Sequence, residues 1–100
     1  MIHANSFDTF VLQRLAARGL MLPDPPRPLG NYTAVSQAGD LLFVSGQLPL
    51  ANGKVVWQGQ VGRDLTLEEG QRAAVLAALN VLAQIHAYLG GFDRLDHIVR

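Results

Sequence analysis

One hundred residues, 49% apolar and 16% charged, make one small globular domain with a core and little surplus stability. Eight basic side chains balance eight acidic ones, so neither nucleic acid nor an anionic membrane is an expected partner. The absence of cysteine excludes a disulfide framework, a zinc–thiolate site and a thiol nucleophile within these residues. Low charge with high apolar content points to some surface being covered by partner subunits. Met1 to Asn5 lacks a basic leader start, and Asp8, Arg14 and Arg18 interrupt the first apolar segment, so the expected location is cytoplasmic.

Asn5 or Ser6 can cap a first helix, with Asp8 placed favourably against its dipole. Phe7, Phe10, Val11 and Leu15 recur at helical spacing, and Gly19 is a plausible stop. This helix reads as a packing element laid on the outside of a sheet. Pro23-Asp24-Pro25-Pro26-Arg27-Pro28 removes donors and fixes φ, which makes residues 23–29 an extended connector.

Gly30-Asn31 turns the chain into a half-buried or edge strand, Tyr32 to Gln37, and Gly39-Asp40 makes the hairpin into Leu41. The continuous apolar run Leu41 to Val44 predicts a strand buried on both faces. It ends on Ser45-Gly46-Gln47, where a hydroxyl, a bare backbone and an amide stand together. Asn52-Gly53 is a type I′ hairpin signal, and Lys54 to Gln58 returns as a strand. Gly59, Gly62 and Asp64 form a loop with neither of the common phosphate-cradle spacings. Thr66-Leu67-Glu68-Glu69 is a capping box, and a long helix follows to about Leu89, stopped by Gly90-Gly91. Its packing face is expected to carry Ala73, Leu76, Ala77, Leu79, Val81, Leu82 or Ala83, Ile85 and Tyr88. Phe92 to Asp96 is a short turn, and His97 to Arg100 opens a fourth strand. Three antiparallel strands, a helix and the start of a fourth strand make an α+β half-sheet. Its open edge and face call for more chain or another subunit.

The chemistry-bearing residues are few. His3, His86 and His97 are scattered with no ligand spacing, so no metal site is expected, and His86 reads as a surface or interface residue. Glu68 and Glu69 suit capping better than acid–base work. Ser45 sits in V-S-G-Q, outside any nucleophile-elbow pattern, and fits a hydrogen-bonding role together with the Gly46 amide and Gln47. Tyr32 reads equally as a core-edge or a site-lining residue. Arg63 and Arg100 are the cations best placed to meet a carboxylate ligand, with plain solvent exposure as the alternative.

Gly30-Asn31-Tyr32, the unbroken run from Gly39 to Pro49 with its F-V-S-G-Q-L-P core, Asn80 on the long helix and Asp96 to Arg100 together resemble the RidA (YjgF-like) family of enamine/imine deaminases. The match covers Pro28 to Arg100, and the N-terminal helix with the V-G-R-D-L-T run looks like a divergent branch. The resemblance implies a chorismate-mutase-like α+β fold, a mixed sheet packed by helices, assembled as a homotrimer with clefts between subunits. On that reading residues 1–22 are an extra N-terminal helix, 23–29 the connector and 30–100 the family core, whose C-terminal part lies beyond this sequence. The implied activity is hydrolysis of a reactive enamine or imine to a 2-keto acid and ammonia, without a cofactor. Tyr32, Ser45 and Gly46 match positions lining the family's cleft, where a small carboxylate metabolite would bind. Asn31 stands where the family usually has proline, and Ala34 where many members have glutamine. The family's carboxylate-binding arginine belongs to a later segment, and Arg100 aligns with a lysine, so no catalytic residue is assigned. The alternative is a non-catalytic metabolite-binding or regulatory protein on the same scaffold. Ribonuclease activity, also attached to relatives, sits poorly with a neutral chain lacking an aromatic–basic platform.

Overall fold

A computed structural model of the chain describes residues 6–28 and 30–99. In chain order it contains α1 (Phe7–Ala17), β1 (Val35–Ala38), β2 (Leu41–Val44), β3 (Leu50–Ala51), β4 (Lys54–Val55) and α2 (Leu67–Leu89). The class is α+β, with short antiparallel strands covered by one long helix. The strands form two separate ladders, β1 with β2 and β3 with β4, where the sequence predicts one continuous run of three. The break is Ser45 to Pro49, which belongs to neither ladder.

In the first ladder Val35 pairs with Val44, Ser36 with Phe43, Gln37 with Leu42 and Ala38 with Leu41. Directly paired residues share a face, so Val35, Gln37, Leu42 and Val44 stand on one side, with Ser36, Ala38, Leu41 and Phe43 on the other. Val35 is buried in the core, whereas Leu41 is 49% exposed and Phe43 56% exposed. The expectation that Leu41 to Val44 is dry on both faces therefore fails within this chain: α2 packs against β1, β2 and β3, and the opposite face is open. A run of four apolar residues does not distinguish one covered face from two.

The second ladder pairs Leu50 with Val55 and Ala51 with Lys54. Asn52 (φ 54°) and Gly53 (φ 79°) supply the two left-handed residues of its turn. The returning strand is Lys54–Val55, shorter than the predicted Lys54 to Gln58.

Both ends of α2 are specified locally. The Thr66 hydroxyl accepts from the Glu69 amide at 3.1 Å, and the Glu69 carboxylate accepts from the Thr66 amide at 2.9 Å. At the other end Gly90 takes the left-handed conformation and donates its amide to the His86 carbonyl. Leu79, Ala83 and Ile85 from α2, Val35 from β1, Leu50 from β3 and Phe92 form the core. Val81 is half-buried and Tyr88 exposed, so the buried stripe is narrower than the predicted packing face. By length and composition α2 would also reach across a bilayer; here its buried stripe covers the two hairpins.

The first helix is capped by Ser6, whose hydroxyl accepts from the Thr9 amide, and Gly19 follows its end in a left-handed conformation. Its position corrects the expectation. Instead of lying on a sheet, α1 is fastened to the C-terminal end of α2 and buries no residue. Asp8 Oδ1 accepts from the Phe92 amide at 2.8 Å, and the Asp8 amide donates to Asp93 Oδ1 at 2.8 Å. His86 Nε2 lies 3.2 Å from Asp8 Oδ1, with the imidazole edge-on to Phe92. Phe7 and Phe10 stack on each other, and the Arg14 guanidinium lies over the Phe10 ring. Polar groups at the helix start, not the apolar stripe, determine where α1 docks. His97 to Val99 are exposed and form no strand, contrary to the expected fourth strand. A short segment such as His97-Ile98-Val99 becomes a strand only where an edge receives its hydrogen bonds, and none of the described edges does. Arg100 lies outside the described residues.

Candidate functional site

Ser45 to Pro49 lie between the two ladders; the Leu48 and Pro49 carbonyls accept from the Leu50 and Val56 amides, and side-chain donors supplement these. They come from one row of α2, where Asn80, Gln84 and Tyr88 recur every fourth residue and so share a face. Asn80, only 1% exposed, donates both Nδ2 protons, to the Leu48 carbonyl at 2.9 Å and the Leu50 carbonyl at 3.1 Å. Gln84 donates to the Pro26 carbonyl at 2.7 Å and toward Gln47 Oε1 at 3.4 Å. The Tyr88 hydroxyl pairs with Gln37 Oε1 at 3.2 Å, tying the far end of the row to β1.

Ser45 continues β2 by one residue, its amide donating to the Ala34 carbonyl at 2.9 Å. By alternation its side chain stands with Leu41 and Phe43 on the uncovered face. The Ser45 hydroxyl donates to the Thr33 carbonyl at 2.7 Å. That bond commits the proton to a backbone acceptor and leaves the oxygen lone pairs to receive a donor. Gln47 Nε2 donates to the Ser45 carbonyl at 3.0 Å, which fixes the turn from below. Gly46 is exposed, with nothing within 4 Å of where a side chain would begin, and its amide has no acceptor among the described residues. Tyr32 is exposed in the bend before β1, one residue from the Thr33 carbonyl that Ser45 holds. Ser45 and Gly46 thus stand together with a half-free hydroxyl and a free N–H, and the Tyr32 backbone is drawn to them through Thr33.

The groups around this point are neutral: a hydroxyl, a backbone amide and two carboxamides. They can orient a carboxylate, a carbonyl or a water, and they offer no base to make Ser45 a nucleophile. Arg63, expected as a candidate carboxylate holder, is exposed and paired instead with Asp64 at 3.3 Å. The Asp64 carboxyl is held below its ordinary range by the hydrogen bond from the Gln60 amide and then by Arg63. That pair structures the 59–65 loop and does not line the Ser45 end. Among the described residues no group of three His, Asp or Glu side chains stands together as a metal site.

Two shallow grooves flank α2. The larger, about 470 Å³, runs beside Trp57 along Glu68, Arg72, Val75 and Leu79, and includes none of Tyr32, Ser45 or Gly46. The smaller, about 360 Å³, is lined by Thr33, Ala34, Val35, Gln84, Ala87 and Tyr88. It shares Thr33 with the Ser45 hydrogen bond and Gln84 with the carboxamide row. Convergent hydrogen-bonding groups, not volume, make the Ser45 end the candidate site, since the larger groove is open and mostly apolar. Gln84 is the functional residue that sequence reasoning missed. Its signal was an Asn and a Gln four residues apart inside the otherwise apolar run Leu79 to Ile85.

Residues 12–100 match the family model described as "YjgF/chorismate mutase-like, putative endoribonuclease". The chain belongs to the YjgF/chorismate mutase-like family. Protein TCP17 of Trypanosoma cruzi is 43% identical over 89 residues, which are 89% of this chain and 54% of that protein. A crystal structure of a protein of unknown function from Agrobacterium tumefaciens superposes with TM-score 0.73 at 43% identity, covering 84% of this chain and 50% of that one. A second, from Shewanella oneidensis and described with the same final two words as the family model, gives TM-score 0.73 at 46% identity over 79% and 52%. The chain therefore spans about half the length of these YjgF-like relatives. The family match starts at residue 12, so Asp8, which anchors α1, lies outside it.

Proposed function

We propose that this YjgF-like chain contributes one wall of a small-carboxylate site formed between copies of the protein, and that the full-length protein hydrolyses reactive enamines or imines there. The observation that carries this reading is the pairing of the Ser45 hydroxyl with the free Gly46 amide at the end of an uncovered strand face. Such groups suit a planar, anionic imine derived from an amino acid. The Gly46 N–H donates to a substrate oxygen, and the Ser45 oxygen accepts from the attacking water or the imine N–H. Water adds to the imine carbon, the C–N bond breaks, and a 2-keto acid and ammonia leave. The proposed assembly is a homotrimer in the cytoplasm, because Leu41 and Phe43 beside Ser45 form an apolar surface suited to a neighbouring copy. The balanced charge of the chain argues for a metabolite and against RNA as the substrate.

Freshly generated 2-aminoacrylate offered to the full-length protein, with ammonia release followed by a coupled reaction, tests the enzyme reading. Acceleration over the spontaneous rate is expected, falling roughly tenfold or more in Ser45→Ala, the loss of one hydrogen bond worth about 1.4 kcal/mol in the transition state. No acceleration by the wild-type protein removes the enzyme reading. The neutrality of the groups around Ser45 favours a second reading, binding without turnover. A thermal shift with 2-keto acids but no ammonia release would select it.

A further inference from the structure

We propose that Gln84 is a positioning residue that couples the seating of the N-terminal strap, residues 20–28, to the Ser45–Gly46 end of β2. Gln84 is 7% exposed within an apolar stretch of α2, and a buried carboxamide there is costly unless its donors are satisfied. The Pro26 carbonyl only accepts, so the Gln84 nitrogen must face it, at 2.7 Å. The same nitrogen then faces Gln47 Oε1 at 3.4 Å, and Gln47 turns its own nitrogen to the Ser45 carbonyl at 3.0 Å. Each amide orientation is forced by the next, so the relay has one direction: Gln84 holds the strap with one proton and Gln47 with the other, and Gln47 holds Ser45.

The strap is suited to this coupling. Pro23, Pro25, Pro26 and Pro28 stiffen it and leave it few N–H donors of its own, so carbonyl capture is the available way to hold it. The helix that precedes it is fixed separately, where Asp8 bridges the Phe92 amide and His86. One helix thus grips the N-terminal arm at two places, and the grip nearer the site is shared with the loop that carries Ser45. Of the groups in this arrangement only Asp8 lies outside the residues matched by the family model; Pro26, Gln47 and Gln84 lie inside them.

Residue-resolved amide exchange on the full-length protein tests the relay. Gln84→Met keeps the side-chain volume and removes both donors. The Ser45 amide, bonded to the Ala34 carbonyl, is expected to exchange roughly tenfold faster, with Leu79 and Ala83 within about twofold of wild type. Unchanged Ser45 exchange, or equal acceleration along α2, overturns the proposal. Gln47→Met cuts both bonds of Gln47, leaves Gln84 on the Pro26 carbonyl, and carries the same expectation at Ser45 with Phe92 unchanged, so the test stands even if Gln84→Met does not fold. Asp8→Ala frees the arm and is expected to accelerate both Phe92 and, several-fold, Ser45; acceleration at Phe92 alone overturns the link to the strap. The ligand consequence rests on the function proposed above: Gln84→Met is expected to weaken pyruvate binding about tenfold. Wild-type protein that fails to bind pyruvate but shows the exchange pattern overturns the ligand reading and leaves the relay standing.

Discussion

Asn80 donates its two side-chain protons to the Leu48 and Leu50 carbonyls, the first of which also accepts from the Leu50 amide. Replacing it with leucine, close in size, removes the side-chain donor of the buried Leu50 carbonyl and leaves the Leu48 carbonyl with the Leu50 amide alone, and a loss of about 1–3 kcal/mol in urea unfolding is expected. The motif around Asn80 was recognisable in the sequence, but its task was not, because the acceptors lie some thirty residues earlier in the chain. Asp64 makes a pH-dependent contribution. Its folded-state pKa is lowered by the Gln60 amide and Arg63. The stabilisation it provides is therefore full above the ordinary carboxylate pKa and is lost as pH falls through the folded value. The stability difference between wild type and Asp64→Asn is expected at pH 7 and should begin to shrink only as pH falls below the ordinary carboxylate value, about 3.9; a gap unchanged in strong acid would contradict this.

Among the elements, α2 was the most legible, because everything that starts and stops it lies within its own sequence. Thr66→Ala is expected to cost about 1 kcal/mol through loss of the cap. Gly90→Ala should cost a similar amount, about 1 kcal/mol, because a side chain is placed in the left-handed region; thermal unfolding at several pH values would check both. The Asn52-Gly53 turn was equally readable, since its residue types match its φ values. Strand burial was not. Whether Leu41 and Phe43 meet a neighbour depends on what packs on that face, and four apolar residues look alike in either case. The docking of α1 was misread for a related reason. Its aromatics advertise a packing stripe, yet Phe7 and Phe10 satisfy each other and Arg14, while Asp8 determines the attachment. The candidate site was legible only as residue types: Ser45 and Gly46 were visible, whereas Gln84, the strap and the carboxamide row required the fold.

For the whole molecule, the α+β arrangement covers one face of the β1–β2 hairpin and leaves Leu41 and Phe43 on the other. On the proposed assembly, Phe43→Glu places a charge on that surface, and the full-length protein is expected to sediment as smaller species than wild type at equal concentration. Unchanged sedimentation would argue against this face as the contact between copies. The self-contained ends of α2 also bear on the order in which the molecule forms. A helix encoded at both ends by its neighbours relaxes in under about a microsecond, whereas hairpins close in roughly 1–10 microseconds. Speed alone does not hold a helix in place, since without packing it is marginal in water; the segments that receive the Asn80 and Gln84 donors therefore also keep α2 formed.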